Sequence, residues 1–448
     1  MSDADYASIP HPEVVLPVVP NAPFFQPAST PSVGTALPAK DWPQNKDLPL
    51  LFQPITVGKT AKMEFKNRIF VAPMCQYSCA QDGEDIGALT PWHLVHLGAW
   101  AVRGAAVVMV EATSVMPNGR LSPNDSGLWN DRQRDALKPV FDFIKAQGAK
   151  AAIQLGHGGR KTSTLAPWLD SSTINPPLKS HVATNGAAGG WTDNVMAPSA
   201  IPYEEGTYPQ PREMTEKDFA ELKQAWIDAV RRADEAGADV IEIHSAHGYH
   251  MHNFLSPLSN QRKDKYGGSL ENRMRFPLEV VAAVRAQWPA SKPLFLRFSA
   301  TDWYPAGEKN EKGEWISWGI EQSKIYAKQL VKLGVDLIDV SSGGNTPEQK
   351  ITVGPGYQVP FAEEIRKSLA DDPEVDTIPI STVGLITNGT QAEEVLQQGK
   401  ADVISVAREF LRDAETVFNW AQELGVVVNV PVQYQRAWTR MMTKKEEK

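Results

Sequence analysis

Short apolar runs rich in Val, Ile and Leu recur from about residue 67, and each is followed by a longer stretch with apolar positions at helical spacing. The runs are Ile69–Met74, Ala106–Val110, Ala151–Leu155, Val240–Ile243, Leu294–Arg297, Leu337–Val340, Ile378–Thr382 and Val403–Val406. Their near-continuous apolar character predicts strands buried on both faces, as in parallel sheets covered by helices. A first helix is predicted to open at Thr90-Pro91. Further helices are predicted over Asp131–Gln147, from Thr215-x-x-Asp218 to Ala236-Gly237, and over Ser269–Trp288, Gln322–Leu333, Phe361–Leu369, Gln391–Gln398 and Ala414–Leu424. Cap signals support several ends: proline in a first turn after threonine, a capping box at 215–218, and glycine stops at Gly148 and Gly237. Eight strands alternating with eight helices predict an α/β fold of TIM (β/α)8 barrel type. The alternative is an open doubly wound sheet. No Gly-x-Gly-x-x-Gly fingerprint opens the first unit, which disfavours it.

Two segments break the rhythm. Residues 1–50 carry recurrent prolines from Pro10 to Pro49 with no persistent period, so they read as an arm without its own core. Such an arm is either extended by itself or wrapped on a partner subunit. The barrel domain is expected over 51–440. Within it, residues 161–211 form a long excursion after the third strand, rich in Pro, Gly, Ser, Thr and Asn and carrying Trp168 and Trp191. It reads equally as a lid over the catalytic face or as a surface insertion.

Composition narrows the function classes. Apolar residues make up 42% and charged residues 22% of the 448, as in ordinary globular proteins. A net charge of −8 leaves no basic footprint for nucleic acid. Two cysteines, Cys75 and Cys79, exclude a disulfide framework and a four-cysteine zinc or iron–sulfur centre. No apolar run approaches the ~20 residues needed to cross a bilayer. The acidic Met-Ser-Asp-Ala-Asp opening is not a secretory signal, so a cytoplasmic protein is expected.

The candidate chemistry sits at the carboxyl ends of the strands, where parallel α/β folds bind ligands. The fourth run ends in His244-Ser-Ala-His247-Gly-Tyr249, and polar side chains at the end of a buried strand need partners. Arg297 closes the fifth strand. Gly384 follows the seventh in Ser-Thr-Val-Gly-Leu-Ile-Thr-Asn-Gly, and Ala407-Arg408 follows the eighth. Barrel loops seven and eight commonly hold phosphate through backbone N–H groups, and an arginine fork suits the same ligand. A tight turn and a surface salt bridge would explain these residues equally well. Gln154, inside the third apolar run, needs a partner that both donates and accepts; a flavin or nucleobase edge does, and so would an internal network. A zinc site on His244, His247 and His157 lacks the carboxylate or cysteine that would complete it.

Taken together these residues resemble the Old Yellow Enzyme family of FMN-dependent ene-reductases, in the branch with a cysteine beside the flavin, often called thermophilic-like. The motifs are Ala72-Pro-Met-Cys75-Gln-Tyr77, Glu111-Ala112, Gln154-Leu-Gly-His-Gly-Gly-Arg160 and His244-Ser-Ala-His247-Gly-Tyr249. They continue with Phe254-Leu-Ser-Pro-Leu-Ser-Asn260, Asp264-x-Tyr-Gly-Gly-Ser-x-Glu-Asn-Arg273, Arg297, Val383-Gly384, Ala407-Arg408 and Gln433-Tyr-Gln-Arg436-Ala-Trp438. The resemblance implies bound FMN reduced by NADPH or NADH, and an activated alkene as oxidant.

The resemblance also implies roles. Ala72, Pro73, Met74 and Cys75 would line the flavin, with Cys75 near N5. Ala112 and Gln154 would meet the ring system, Arg297 its N1 and O2, and Gly384, Ala407 and Arg408 its phosphate. His244 and His247 would bind the substrate's activating oxygen, Tyr249 would protonate carbon, and Tyr77 would close the site. Arg436 would reach the active site of a neighbouring subunit in a homodimer or higher homo-oligomer. The chain departs from the family at Ala407, where glycine is usual, and in the arm and the excursion. Two rivals make different predictions. A barrel lyase or isomerase acting on a phosphorylated small molecule would turn over without NAD(P)H. A non-catalytic flavin-binding protein would hold FMN that NAD(P)H cannot reduce.

Overall fold

The computed structural model describes residues 18–20, 22–169 and 182–442. Expectations for 1–17, 21, 170–181 and 443–448 lie outside these described residues. Eight parallel strands close a barrel: β1 Ile69–Val71, β2 Val107–Ser114, β3 Lys150–Gly156, β4 Val240–Ser245, β5 Leu294–Ser299, β6 Leu337–Ser341, β7 Ile380–Thr382 and β8 Val403–Val406. Each strand pairs with its neighbours in sequence, and β8 returns to β1. The helices between them are α1 Pro91–Val102, α2 Asp131–Ala146, α3 Glu216–Ala236, α4 Leu270–Gln287, α5 Ile320–Lys332, α6 Val359–Ala370, α7 Gly389–Gln397 and α8 Thr416–Glu423. This is the TIM barrel expected from the alternation.

Element ends follow local chemistry. Thr90 and His93 form a capping box before α1, Asn130 and Gln133 before α2, and Thr215 and Asp218 before α3. Gly237 ends α3 at φ +94°, in the left-handed region that glycine enters at no steric cost. β1 stops at Val71, three residues earlier than the apolar run suggests, because Pro73 has no N–H for the ladder. Ala72 still donates to the Val406 carbonyl (2.9 Å), and the chain then leaves the sheet.

Two layers fill the barrel. The lower layer is apolar and includes Phe70, Val107, Phe295, Leu337 and Val403. A hairpin, Ile55–Val57 paired with Met63–Phe65, plugs it from below, with Phe65 5.1 Å from Phe70 and 6.2 Å from Phe295 between ring centroids. Its three-residue strands are too short to show alternation in the sequence. The upper layer is polar and leads to the site.

The described part of the arm packs on its own chain. Gly34 and Leu37 donate to the Asn429 and Val427 carbonyls, and Asn45 bridges Leu37 and Val427. The described part of the excursion lies over the β2 and β3 loops. Thr164 donates to the Leu121 carbonyl, Trp191 Nε1 to that of Asn118 (3.0 Å), and Met196–Ala197 pairs with Arg212–Glu213. Among the described residues no helix is long and apolar enough to cross a membrane.

Candidate active site

The end of β4 delivers three rings to one place. His244 lies on the inward parity of the strand, two residues after Glu242, and is 4% exposed. The chain then turns through His247 at φ +60° and Gly248 at φ +70°. A non-glycine residue at such a φ is strained unless its surroundings hold it, and three contacts do so. The His247 N–H donates to Ser299 Oγ (2.9 Å), its carbonyl accepts from Lys161 Nζ (3.0 Å), and its Nε2 meets Ser341 Oγ (2.7 Å). Gly248 has no room for a side chain, since a Cβ there would lie 2.2 Å from the Gly344 carbonyl oxygen. The turn closes when Tyr249 starts the short helix His250–Leu255. The His244, His247 and Tyr249 rings then stand edge to face, with centroids 4.9 to 6.3 Å apart.

Protonation states follow from this packing. Burial pulls the His244 imidazole well below its ordinary range, and nearby His247 and Arg297 add to the effect. Burial, with Arg297 and Lys161 nearby, lowers His247 to about 3. Both are therefore neutral hydrogen-bond donors. His244 Nδ1 accepts from the Ala246 N–H (3.2 Å), which leaves the proton on Nε2. For His247 the tautomer depends on Ser341. Ser341 Oγ lies 2.7 Å from His247 Nε2 and 3.2 Å from Gln358 Oε1, an oxygen that also accepts from Ser342 (2.7 Å), so the direction of the Ser341 hydroxyl sets which imidazole nitrogen keeps the proton. Burial raises the Tyr249 phenol well above its usual range, so it stays protonated.

Beside these three rings, a cavity of about 230 Å³ is lined by Pro73, His247, Arg297, Gly384, Ala407 and Arg408, among others. Gly384 has φ +129°, and a Cβ there would press to 3.0 Å on Gln358 Nε2 and Tyr357. Arg408 opens the helix Arg408–Arg412; it is exposed and makes no hydrogen bond or ion pair among the described residues. A smaller recess on the other side is lined by Ala112, His157, His244 and Tyr249. Ala112 reaches it because β2 shifts register between Val110 and Thr113, a bulge that re-aims the strand at the site. The same bulge presents Glu111 to the loop after β1, where it accepts the Gln76 N–H. Glu111 Oε1 also lies 3.8 Å from Cys79 Sγ and 3.5 Å from His93 Nε2. Burial, followed by Asp125 and Glu111, raises the Cys75 thiol, so it is a thiol and not a thiolate.

Gln154, Glu242, Arg297 and Asp339 form the polar upper layer. Gln154 Nε2 donates to Glu242 Oε1 (2.7 Å), and Arg297 Nε donates to Asp339 Oδ2 (2.8 Å). A second Arg297 N–H reaches the same oxygen. Tyr77, at φ +53°, stands edge to face with Trp168 of the excursion at 5.2 Å. The structure thus brings together Pro73, Ala112, His244, His247, Tyr249, Arg297, Gly384, Ala407 and Arg408 around two adjoining recesses. Gln154 faces the interior network. Arg436 is exposed on the terminal helix Gln435–Met442, which Trp438 anchors on Phe418 at 5.2 Å, and it lines neither recess of its own chain.

Residues 50–425 match the NADH:flavin oxidoreductase / NADH oxidase family. The chain belongs to this family. An NADH:flavin oxidoreductase of Gibberella zeae is 45% identical over 413 residues, covering 91% of this chain and 92% of that protein. An NADPH dehydrogenase of Bacillus subtilis is 40% identical over 388 residues, covering 87% and 99%. Among solved structures, morphinone reductase superimposes with a TM-score of 0.64 at 23% identity over 86% of this chain and 91% of that one, a likeness of fold. The family makes this an FMN-dependent oxidoreductase with a nicotinamide reductant, and the Old Yellow Enzyme resemblance stands. It also sets aside the lyase or isomerase alternative. The residues present fit FMN: Arg408, which makes no hydrogen bond or ion pair among the described residues, suits phosphate at a strand-end loop, and the Arg297 edge suits a ring that gains negative charge.

Sequence reasoning passed over Lys161, Glu242, Ser341 and Asp339. Three of them left a signal. A carboxylate stands mid-strand in Val-Ile-Glu242-Ile and in Leu-Ile-Asp339-Val, where only a paired charge is tolerated, and Ser341 shares the inward parity of Asp339.

Proposed function

We propose that this flavoenzyme is an ene-reductase, reducing the activated C=C bond of α,β-unsaturated carbonyl compounds at the expense of NADPH or NADH. The observation that carries the reading is the convergence of two neutral histidines and one protonated tyrosine beside a recess with an arginine at its edge. FMN held there would supply hydride chemistry, with the nicotinamide as the source of its electrons. Ala72, Pro73, Met74, Cys75 and Ala112 line the ring system, Gln154 and Arg297 its pyrimidine edge, and Gly384, Ala407 and Arg408 the phosphate.

His244 donates from Nε2, and His247 from the nitrogen that Ser341 leaves protonated, to the carbonyl oxygen of the alkene. Such donors stabilise charge as the oxygen becomes enolate-like, and they need no reorganisation because the turn already holds them. Tyr249 gives its proton to the α carbon; a buried phenol is a competent donor to a carbanion-like centre. Tyr77 covers the site, and Lys161 fixes the turn through the His247 carbonyl. The excursion acts as a wall of the site, supported by Lys161 lying 4.0 Å from the Tyr203 ring and 5.7 Å from the Tyr249 ring. Exposed Arg436, with exposed Trp92 and Val95 on α1, supports a homo-oligomer in which Arg436 completes a neighbour's site. Two unpaired cysteines suit a reducing, cytoplasmic compartment.

The test is steady-state turnover of a cyclic enone with NADPH, alongside a His244→Ala/His247→Ala double variant. Loss of enone turnover with FMN reduction intact supports the clamp. Equal turnover by the double variant refutes it.

A further inference from the structure

Below the clamp, two carboxyl groups share one cation. Glu242 and Asp339 are 1% and 2% exposed, and Arg297 between them is 5% exposed. Arg297 directs both Nε and Nη2 to Asp339 Oδ2, whereas Glu242 Oε1 lies 3.8 Å from Arg297 Nε and takes its hydrogen bond from the neutral Gln154 amide. The other groups facing the set are hydroxyls: Ser405 Oγ lies 3.4 Å from Asp339 Oδ2 and 2.7 Å from Ser381 Oγ. His244, the next inward residue on β4, is neutral. Two buried negative charges against one positive charge leave an uncompensated charge in low dielectric. The set is also short of donors, since Asp339 Oδ1 has no hydrogen-bond partner among the described residues.

We propose that this set keeps one proton at neutral pH and that Glu242 carries it, making Glu242 a positioning residue that sets the charge at the flavin's pyrimidine edge. The edge is then neutral overall, with Arg297 balanced by Asp339. A neutral edge leaves Arg297 free to favour a ring that becomes negative on reduction, and an ionised Glu242 would oppose that change. This last consequence rests on the placement of Arg297 at the flavin given above; the proton itself does not. The Glu242 carboxyl is raised from the usual carboxylate range to about 8, chiefly by burial, with Arg297 opposing and Asp339 reinforcing.

The experiment is equilibrium denaturation of the FMN-loaded, full-length enzyme and of Glu242→Gln, from pH 5 to 9. Glutamine has the shape and neutrality of the protonated acid. A carboxyl raised in the folded state contributes stability fully present below its unfolded pKa and lost as pH rises to the folded value. The folding equilibrium constant of the parent relative to E242Q should therefore fall by about tenfold per pH unit from roughly pH 5 to 8 and level off above. A ratio constant across that range overturns the proposal. If E242Q does not fold, infrared spectra of the parent decide. A protonated-carboxyl band present at pH 7 and lost by pH 9 supports the proposal, and no such band at pH 7 refutes it. A chain that takes up no FMN would count against the cofactor placement alone, because both readouts still report the proton on Glu242.

Discussion

Replacing Tyr249 with phenylalanine separates the proposed proton donor from everything else the residue does. Its ring stands edge to face with His244 at 4.9 Å and His247 at 6.3 Å, and its N–H donates to the Ala246 carbonyl (3.1 Å). Phenylalanine keeps all three contacts. The phenolic oxygen makes no hydrogen bond among the described residues, so removing it orphans no protein group and should alter stability by no more than about 0.5 kcal/mol. The loss falls on the step in which the α carbon is protonated. General acid catalysis contributes about 10²- to 10⁴-fold, or roughly 2.7–5.5 kcal/mol of barrier. Stopped-flow spectroscopy resolves the two half-reactions. Reduction of the flavin by NADPH should proceed at the parent rate, and reoxidation by a cyclic enone should slow by the stated factor. Because burial holds the phenol far above neutrality, the parent's reoxidation rate should also show no tyrosine ionisation between pH 6 and 9. A Tyr249→Phe enzyme that reoxidises at the parent rate would refute the donor assignment and leave the fold untouched.

Other outcomes follow from the same geometry. His157, His244 and His250 are buried and held neutral by that burial. A histidine whose folded pKa is lowered loses stability as pH falls below its unfolded value of about 6.5, by about 2 kcal/mol each at pH 5; denaturant melts flat from pH 7 to 5 would contradict this. Phe65→Ala empties the barrel floor beneath Phe70 and Phe295, and should lower unfolding free energy by about 3–5 kcal/mol in urea titrations; a loss below about 1 kcal/mol would mean the hairpin is not a plug. Gly344→Ala places a Cβ 2.6 Å from His247 Cα at φ +90°, so enone turnover should collapse while FMN uptake persists. Arg408→Ala should weaken FMN binding roughly tenfold by fluorescence titration, and less at high salt, since the arginine is exposed.

Much of this was legible in the sequence. All eight barrel strands and the strand-end placement of His244, Tyr249, Gly384 and Arg408 follow from apolar runs that end in polar residues, whereas Arg297, expected to close its strand, lies two residues inside β5 and pairs with Asp339 of β6. Boundaries moved where single residues intervene: Pro73 ends β1 early, and β7 begins only at Ile380, after Pro379. The floor hairpin was hidden because its two strands have three residues each. Lys161 was hidden for another reason. Its role is to hold the His247 carbonyl, a contact between residues 86 apart that no local pattern encodes. The pairing of Gln154 with Glu242 was the internal-network alternative, and in the described chain the amide makes that contact. Facing a flavin and bracing the layer below it are compatible roles for a side chain with a second polar atom.

The most direct test of the central claim is a visible spectrum of the purified protein followed through anaerobic titration with NADPH and then with a cyclic enone. An ene-reductase should show a flavin band that bleaches with one equivalent of NADPH and returns in full as the enone is consumed. A flavin that NADPH bleaches and oxygen restores, but that no activated alkene reoxidises, would contradict it.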